Sequence, residues 1–394
     1  MTTRDLVGLR RATFTFLLAA GMAAATFASP SLGILGPFIV ADLGIDRGEL
    51  GFVIAVSAIL GAVLSPVAGR VADRVGGRRA LLGLFVAAAT TFALFGLARS
   101  TLLLVVGGVV GAAAQALANP ATNKLIAEDL PPGARGTVTG IKQSGVQAGI
   151  FLGGVTVPSL AVALGWRGAY VAVAAIPLVL AGVAAGVIPQ GTTEPTGSRR
   201  RGGGPLPEPI LRLAVYGFLL GLSGAVTFLV PLYAVEVLGF DPRVGGAVVA
   251  LMGLVAVPGR ILWSRRAERT GRFREALAAM AALSVAASTC FWASSAAPWL
   301  VWVAAVATAA GSSSWNSVGM VAVMAEAGPE ATGRASGVVL FGFLAGLGVG
   351  PPLYGRLVDL TGGYEPMWVI SVAAAVVAVV VALGRGRPSA RIDP

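Results

Sequence analysis

The sequence predicts an all-α polytopic membrane protein, with twelve transmembrane helices arranged as two pseudo-symmetric six-helix bundles. Three observations support this prediction: the composition, a series of hydrophobic runs, and a repeat between the two halves of the chain. Of the 394 residues, 56% are hydrophobic and only 12% are charged, whereas a soluble chain carries about 25% charged residues. Such a composition provides too little polar surface for a soluble particle of this length, and it excludes large soluble domains.

Hydrophobic runs long enough to cross a membrane recur along the whole chain. A spanning helix needs roughly 20 apolar residues, so the length allows about twelve spans with short connections. We number the predicted spans one to twelve, at 13–39, 49–68, 80–98, 101–123, 137–163, 168–188, 211–237, 245–263, 277–295, 299–323, 335–355 and 366–383. The first run exceeds the signal-peptide core of about 7–15 residues, so we expect it to remain as a helix.

The 29 Lys and Arg residues are divided unequally between alternate connections. Five lie on one side of the predicted membrane and 24 lie on, or just inside, the other; the five are Arg47, Arg99, Arg167, Arg243 and Arg356. Cytoplasmic connections carry the excess of basic residues in membrane proteins. We therefore expect a multi-pass protein of the cytoplasmic (inner) membrane with both termini in the cytoplasm. The net charge of +11 then indicates topology and not nucleic-acid binding.

The chain repeats itself at an offset of 195 residues. The matching positions include Leu43, Gly44 and Asp46 with Leu238, Gly239 and Asp241, and the stretch 70–79 with 265–274. Between the halves, residues 190–209 are rich in Gly, Pro, Ser and Thr and contain three consecutive arginines, which is typical of a flexible linker. We predict an N-terminal bundle at 1–189, a cytoplasmic linker at 190–209 and a C-terminal bundle at 210–394.

The loop after span two resembles the signature loop of the major facilitator superfamily. The resemblance rests on Gly69, Asp73, Arg74, Gly76 and Arg78, with a degenerate copy after span eight formed by Glu268, Arg269 and Gly271. It implies the fold of that superfamily, a substrate site between the two bundles, and transport by alternating access.

The same resemblance implies a role for the loop. It places Asp73 near the cytoplasmic start of span eleven, and a helix start attracts a carboxylate. We expect Asp73 and Arg74, and likewise Glu268 and Arg269 against span five, to form a latch that exists only when the cytoplasmic side is closed. The alternative is a solvated charged loop that sets topology.

Polar residues within the spans are candidates for the substrate site, because a bilayer tolerates them only where they face protein or water. Span four carries three amides at intervals of four residues, hence on one helix face, and span ten repeats the first two positions; the residues are Gln115, Asn119 and Asn123, then Ser312 and Asn316 beside Trp315. The resemblance places both spans at the cavity, so we expect these groups to bind a polar substrate. Hydrogen bonding between helices is the alternative.

Two basic residues also lie within spans. Lys142 lies on span five, with Gln147 further along, and Arg260 lies on span eight. Both could bind an anion in the cavity, Arg260 through its planar guanidinium, or both could extend to the lipid headgroups. A basic residue on span eight resembles the organic-anion branches of the superfamily, although Ala256 replaces the carboxylate often found there one turn earlier.

Glycines recur at each turn of spans five and eleven, as Gly145, Gly149 and Gly153 and as Gly342, Gly346 and Gly350. Helices in lipid associate through such small-residue faces. We expect the helices to pack closely along these faces, and we expect such closely packed helices to slide and rock against each other.

The predicted function is secondary transport of a small polar solute, an organic anion, by alternating access. Efflux of drugs or other hydrophobic or cationic compounds by the same fold is one alternative, and a non-transporting membrane receptor is another. We expect no enzyme activity, no catalytic residues, no metal site and no cofactor, since Cys290 is the single cysteine and the chain has no histidine. The expected partners are a small-molecule substrate and the lipid bilayer, with a proton or counter-ion as a coupling candidate and Glu236 as its best candidate site. We expect a monomer that binds no nucleic acid.

Overall fold

A computed structural model describes residues 3–189 and 207–384, and within these ranges all regular structure is helical. Residues 190–206 of the predicted linker lie outside the described part, and the first helix of the second half begins at Glu208. The helices are α1 (Thr3–Thr26), α2 (Ala28–Ile34), α3 (Gly36–Leu43), α4 (Arg47–Val75), α5 (Gly77–Gly96), α6 (Thr101–Asp129), α7 (Pro132–Val187), α8 (Glu208–Gly224), α9 (Val230–Glu236), α10 (Pro242–Thr270), α11 (Phe273–Ala293), α12 (Leu300–Ala310), α13 (Trp315–Thr361) and α14 (Glu365–Leu383), with a 3₁₀ turn at Ala225–Phe228 between α8 and α9.

Two of these helices each contain parts of two spans. The 56 residues of α7 would extend about 84 Å at 1.5 Å per residue, which far exceeds a bilayer. The chain turns back at Gly165, whose φ of +73° lies in the left-handed region that favours glycine. Likewise α13 contains the end of span ten and all of span eleven.

Nine described helices are long and apolar enough to cross a bilayer, or ten when the bent pair α1 and α2 counts as one span. That count treats α7 as one helix, and it leaves out α12, which has only 11 residues. When α7 is divided at Gly165 and α12 is joined to the start of α13, twelve spans result.

Spans one and seven are interrupted near prolines. The axes of α1 and α2 differ by 56°, and Pro30 lies at the third position of α2. In span seven, the 3₁₀ turn precedes Pro231 at the start of α9. Proline lacks a backbone N–H and cannot complete the helical hydrogen-bond pattern. The two interruptions contact each other, because Gly33 lies against the backbone of Phe228.

The two halves contact each other most closely on one side of the membrane. We call this side the Arg47 face; it carries Arg47, Glu236 and Asp359, and the sequence predicts it to be extracellular. There Gly51 lies against the backbone of Pro351, and Gly36 lies against Leu232.

The opposite side, the Asp73 face, carries Asp73 and Glu268. A Cβ at Gly69 of α4, or at Gly337 of α13, would have no described atom within 4 Å. Among the described residues, no ion pair joins the two halves on this face.

The glycine faces of spans five and eleven lie against the first helix of each half. On α7 the contacts join Gly145 to Ala19, Gly149 to Ala23 and Gly153 to Phe27, and on α13 they join Gly342 to Ala214, Gly346 to Phe218 and Gly350 to Ala225. A Cβ at Gly145 would overlap the carbonyl of Ala19, and one at Gly346 would overlap the carbonyl of Phe218. At Gly145, Gly342 and Gly346 the two backbones lie next to each other, whereas at Gly153 the Phe27 ring lies against the glycine.

Candidate functional site

A cavity of about 240 Å³ lies between the two halves. Six of the nine predicted substrate-site residues line it, namely Gln115, Gln147, Arg260, Ser312, Trp315 and Asn316. The remaining lining is mostly apolar and includes Ile34, Phe228, Met252, Phe343 and Leu347. No Asp or Glu side chain is among the described residues that line the cavity. The cavity therefore combines one basic side chain with neutral polar groups and an apolar wall.

Arg260 of α10 is positioned by the interruption of span ten. Between α12 and α13 the backbone leaves the helical conformation at Gly311, with φ −91° and ψ −102°, and the carbonyl oxygen of Ser313 becomes available. The Nε and Nη2 groups of Arg260 donate to this oxygen at 3.1 and 3.0 Å. The guanidinium is fixed by a neutral partner, and it makes no ion pair with a described carboxylate. Its positive charge is therefore uncompensated by the described residues.

The cavity also contains polar groups for which no protein partner is recorded among the described residues. Among the described residues, the structure records no hydrogen bond to the side-chain amides of Gln115 and Gln147. The Oδ1 atom of Asn316 and the indole Nε1 of Trp315 are buried without a partner. Phe343 holds the Trp315 ring, with the ring centroids 5.1 Å apart. The cavity thus offers hydrogen-bond donors and acceptors that the described part of the chain leaves unused.

Lys142 and two of the predicted amides form a separate cluster outside the cavity lining. The ammonium of Lys142 is fully buried and donates to Thr122 Oγ1 at 2.8 Å, Asn123 Oδ1 at 2.6 Å and Asn119 Oδ1 at 3.3 Å. Gln143 donates to the same Asn119 oxygen at 3.1 Å. The spacing of four residues placed Gln115, Asn119 and Asn123 on one helix face, but successive members differ in depth by about 6 Å. Only Gln115 reaches the cavity.

On the Asp73 face, a glycine with positive φ ends the helix in the signature loop and in its degenerate copy. Gly76 ends α4 with φ +85°, and Gly271 ends α10 with φ +65°. Asp73 is largely exposed and lies 3.8 Å from Lys124 of its own half, and Arg78 Nη2 donates to the Ala185 carbonyl at 2.6 Å. No hydrogen bond or ion pair joins Asp73 to a described residue of span eleven. The side chains of Arg74, Glu268 and Arg269 form no described ion pair.

An ion cluster that sequence reasoning missed joins the halves on the Arg47 face. Arg47 donates to Glu236 Oε2 from Nε at 3.0 Å and from Nη2 at 2.9 Å, and its Nη1 lies 3.0 Å from Asp359 Oδ1. The backbone N–H groups of Arg47 and Gly48 donate to the Asp359 carboxylate at 3.3 and 2.8 Å. Asp359 therefore accepts from the N-terminus of α4, a favourable place for negative charge.

Tyr364 and a further ion pair extend this cluster. The Tyr364 hydroxyl donates to Glu236 Oε2 at 2.7 Å; burial raises the pKa of Tyr364, as does the Glu236 carboxylate, so the hydroxyl remains a donor. Arg356 lies 3.7 Å from Asp46. Of the eight ion pairs between described residues, three connect the two halves, and all three lie on the Arg47 face. Sequence reasoning singled out Glu236 as a coupling candidate and the repeat around Asp46 and Asp241, but not the ion pairs of this cluster.

Comparisons with known proteins agree with this architecture. The family model of the Major Facilitator Superfamily matches residues 13–341. A probable sulfoacetate transporter of Cupriavidus necator, SauU, is 28% identical over 151 residues, which are 38% of this chain and 34% of that protein. A hexuronate transporter of Bacillus subtilis is 26% identical over 151 residues, 38% of this chain and 36% of that protein. The chain thus spans about a third of the length of the curated relatives it matches.

Solved structures show the same fold over nearly the whole chain. A bacterial homolog of the human lysosomal transporter Spinster, in an inward-facing and occupied conformation, has a TM-score of 0.75 at 19% identity, covering 97% of this chain and 96% of that chain. A mutant of the nucleoside transporter NupG has a TM-score of 0.73 at 13% identity, covering 94% of this chain and 99% of that chain. The predicted twelve-helix fold in two bundles is confirmed, and the chain belongs to the major facilitator superfamily.

Proposed function

We propose that this protein is a secondary transporter that moves a small organic anion across the cytoplasmic membrane by alternating access. The observation that carries the proposal is Arg260, a basic side chain at the wall of the central cavity with no described carboxylate beside it. An arginine held inside a membrane protein without a counter-charge is costly. An anionic substrate would supply the missing charge.

The geometry of Arg260 suits this role. The Ser313 carbonyl takes up two N–H groups of the guanidinium and leaves others for a ligand, and a guanidinium binds carboxylates and sulfonate-like groups through parallel hydrogen bonds. The names of the two curated relatives, for sulfoacetate and hexuronate, support the class of organic anions. The cavity volume of about 240 Å³ lies below the roughly 300–1,000 Å³ of pockets for drug-sized ligands, which favours a small solute.

The same cavity disfavours efflux of cations. Its one charged lining residue among those described is basic, so a cationic compound would be repelled, and no lining carboxylate would bind it.

The conformation fits one state of an alternating-access cycle. The halves meet at the Arg47 face through three ion pairs, and no ion pair between described residues joins them on the Asp73 face. We infer that the Asp73 face is cytoplasmic, since it carries most of the Arg and Lys residues, and that this state is open to the cytoplasm. In the opposite state, the Arg47 cluster would separate and Asp73 with Arg74, and Glu268 with Arg269, would form the predicted latch.

Ligand-induced thermal stabilisation of the purified protein tests the substrate class. We expect glucuronate or sulfoacetate to raise the melting temperature of the wild type and of Arg243→Gln, an exposed arginine on the same helix as Arg260. The Arg260→Gln variant should lose this stabilisation. The opposite result is that tetraphenylphosphonium stabilises the wild type and Arg260→Gln equally, while neither anion stabilises the wild type. That result would contradict the proposal and support efflux.

A further inference from the structure

Two carboxamides on the first-half side of the cavity have no protein partner. The side chain of Gln147 is 6% exposed and lines the cavity, as does Gln115, and no described residue is recorded in a hydrogen bond with either amide. The amides outside the cavity differ: Asn119 and Asn123 accept from Lys142, and Gln143 donates to Asn119. The unused amides are therefore a property of the cavity and not of spans four and five in general.

A ligand whose only polar group is an acid would leave the oxygens of these amides without a hydrogen-bond donor. A carboxamide presents two N–H donors and one acceptor oxygen, whereas a carboxylate or sulfonate can only accept hydrogen bonds. Arg260 adds further donors to the cavity and no acceptor. The amide oxygens therefore need O–H or N–H donors from elsewhere on the ligand. Leaving a desolvated acceptor without a partner is unfavourable.

The packing separates the amides from Arg260. Gln115 lies against Gly61 of α4, where a Cβ would be 3.1 Å from the Gln115 Cδ. The backbone of Gln147 lies against Gly253 of α10. Arg260 follows Gly253 by two helical turns, about 10 Å along the axis. The guanidinium itself is held at the Ser313 carbonyl of the second half, so the acid group and the donor groups of one ligand would bind at different walls of the cavity.

We propose that the transported anion is a hydroxylated acid, with its acid group bound by Arg260 and its hydroxyl groups bound by Gln147 and Gln115. This inference rests on the proposed anion site and adds the hydroxyl groups of the ligand, which the two glutamines would bind. A ligand held in this way contacts both halves of the protein, Arg260 in the second and the glutamines in the first.

Calorimetric titration of the purified protein with gluconate and with hexanoate tests the inference. The two anions have the same number of carbons and the same charge and differ in their hydroxyl groups. We expect the wild type to bind gluconate at least about tenfold more tightly than hexanoate, as for one or two well-made hydrogen bonds. Both Gln147→Leu and Gln115→Leu should reduce this ratio to near one, so either variant gives the answer if the other fails to fold.

Two controls separate this inference from the anion site itself. Gln143→Leu should keep the wild-type ratio, because that amide already binds Asn119. Arg260→Gln should weaken both anions by a similar factor. Equal affinity of the wild type for gluconate and hexanoate, or an unchanged ratio in both glutamine variants, would overturn the inference and leave the anion site intact. If neither anion binds the wild type, the proposed anion site fails.

Discussion

Arg47 at the start of α4 binds Glu236 of α9 through two hydrogen bonds of 3.0 and 2.9 Å, and its Nη1 atom lies 3.0 Å from Asp359 Oδ1 of α13. One side chain thereby connects the first half of the protein to two spans of the second half. The residues in these contacts are 189 and 312 positions apart in the chain. Such partly exposed ion pairs are worth up to about 1 kcal/mol each, so together they favour closure of the Arg47 face without locking it.

The first prediction concerns this cluster. Arg47→Gln should open the Arg47 face more often, because it removes two of the three ion pairs between the halves. A loss of about 1.4 kcal/mol would raise the open population about tenfold. The readout is labelling of Leu232→Cys, a buried position next to Gly36, with a membrane-impermeant maleimide. Since Cys290 is the single cysteine, Cys290→Ala provides the background. Arg243→Gln is the control, and equal labelling of both variants would contradict the role of Arg47.

The second prediction concerns the proposed latch. Asp73→Asn should decrease both transport and Leu232→Cys labelling, because it destabilises the state that is closed on the Asp73 face. In the present conformation Asp73 is largely exposed, and its described ion pair with Lys124 is long at 3.8 Å, so little stability is lost in this state. Glu275→Gln, an exposed carboxylate paired locally with Arg272, is the matched control. Unchanged transport and unchanged labelling in Asp73→Asn would favour the solvated-loop alternative.

The third prediction ranks the two basic residues of the spans. Lys142→Met should change the affinity for an anion less than threefold, whereas Arg260→Gln should weaken it at least about tenfold. The reason is that Arg260 lines the cavity and Lys142 is surrounded by Asn119, Thr122 and Asn123. The measurement is the dissociation constant by calorimetric titration. A larger effect of Lys142→Met would show that the ammonium contacts the substrate in another state.

The fourth prediction concerns the glycine face of span five. Gly145→Val should destabilise the protein by about 1–3 kcal/mol, because a Cβ there would overlap the Ala19 carbonyl. Gly140→Val on the same helix is the control, since no described atom lies within 4 Å of its Cβ position. Thermal unfolding in detergent compares the two. Equal melting temperatures would contradict the contact between spans five and one.

The sequence predicted the fold in detail and the site only in part. The spans follow from local hydrophobicity, and the two halves follow from the repeat at an offset of 195 residues. Gln147 and Arg260 were also predicted for the cavity. In contrast, no proline lies next to Gly311, so the sequence does not predict the helix break that makes the Ser313 carbonyl available to Arg260.

Three of the predicted residues, Asn119, Asn123 and Lys142, lie outside the cavity lining for a physical reason. Helical spacing predicts the helix face on which Asn119 and Asn123 lie. Whether a residue on that face lines the cavity also depends on its position along the helix axis relative to the neighbouring helices. Lys142 is buried by contacts with another helix that no local pattern reports. The Arg47 cluster depends on residues from three spans, and it forms only where the two halves meet.

Counter-flow in proteoliposomes tests the central claim, the anion site at Arg260, most directly. Vesicles are loaded with an unlabelled anion, glucuronate or sulfoacetate, and the entry of the same radiolabelled anion is followed. We predict transient accumulation by the wild type and by Arg243→Gln, and at least a tenfold lower signal from correctly folded Arg260→Gln. Accumulation by Arg260→Gln at the wild-type level would contradict the account.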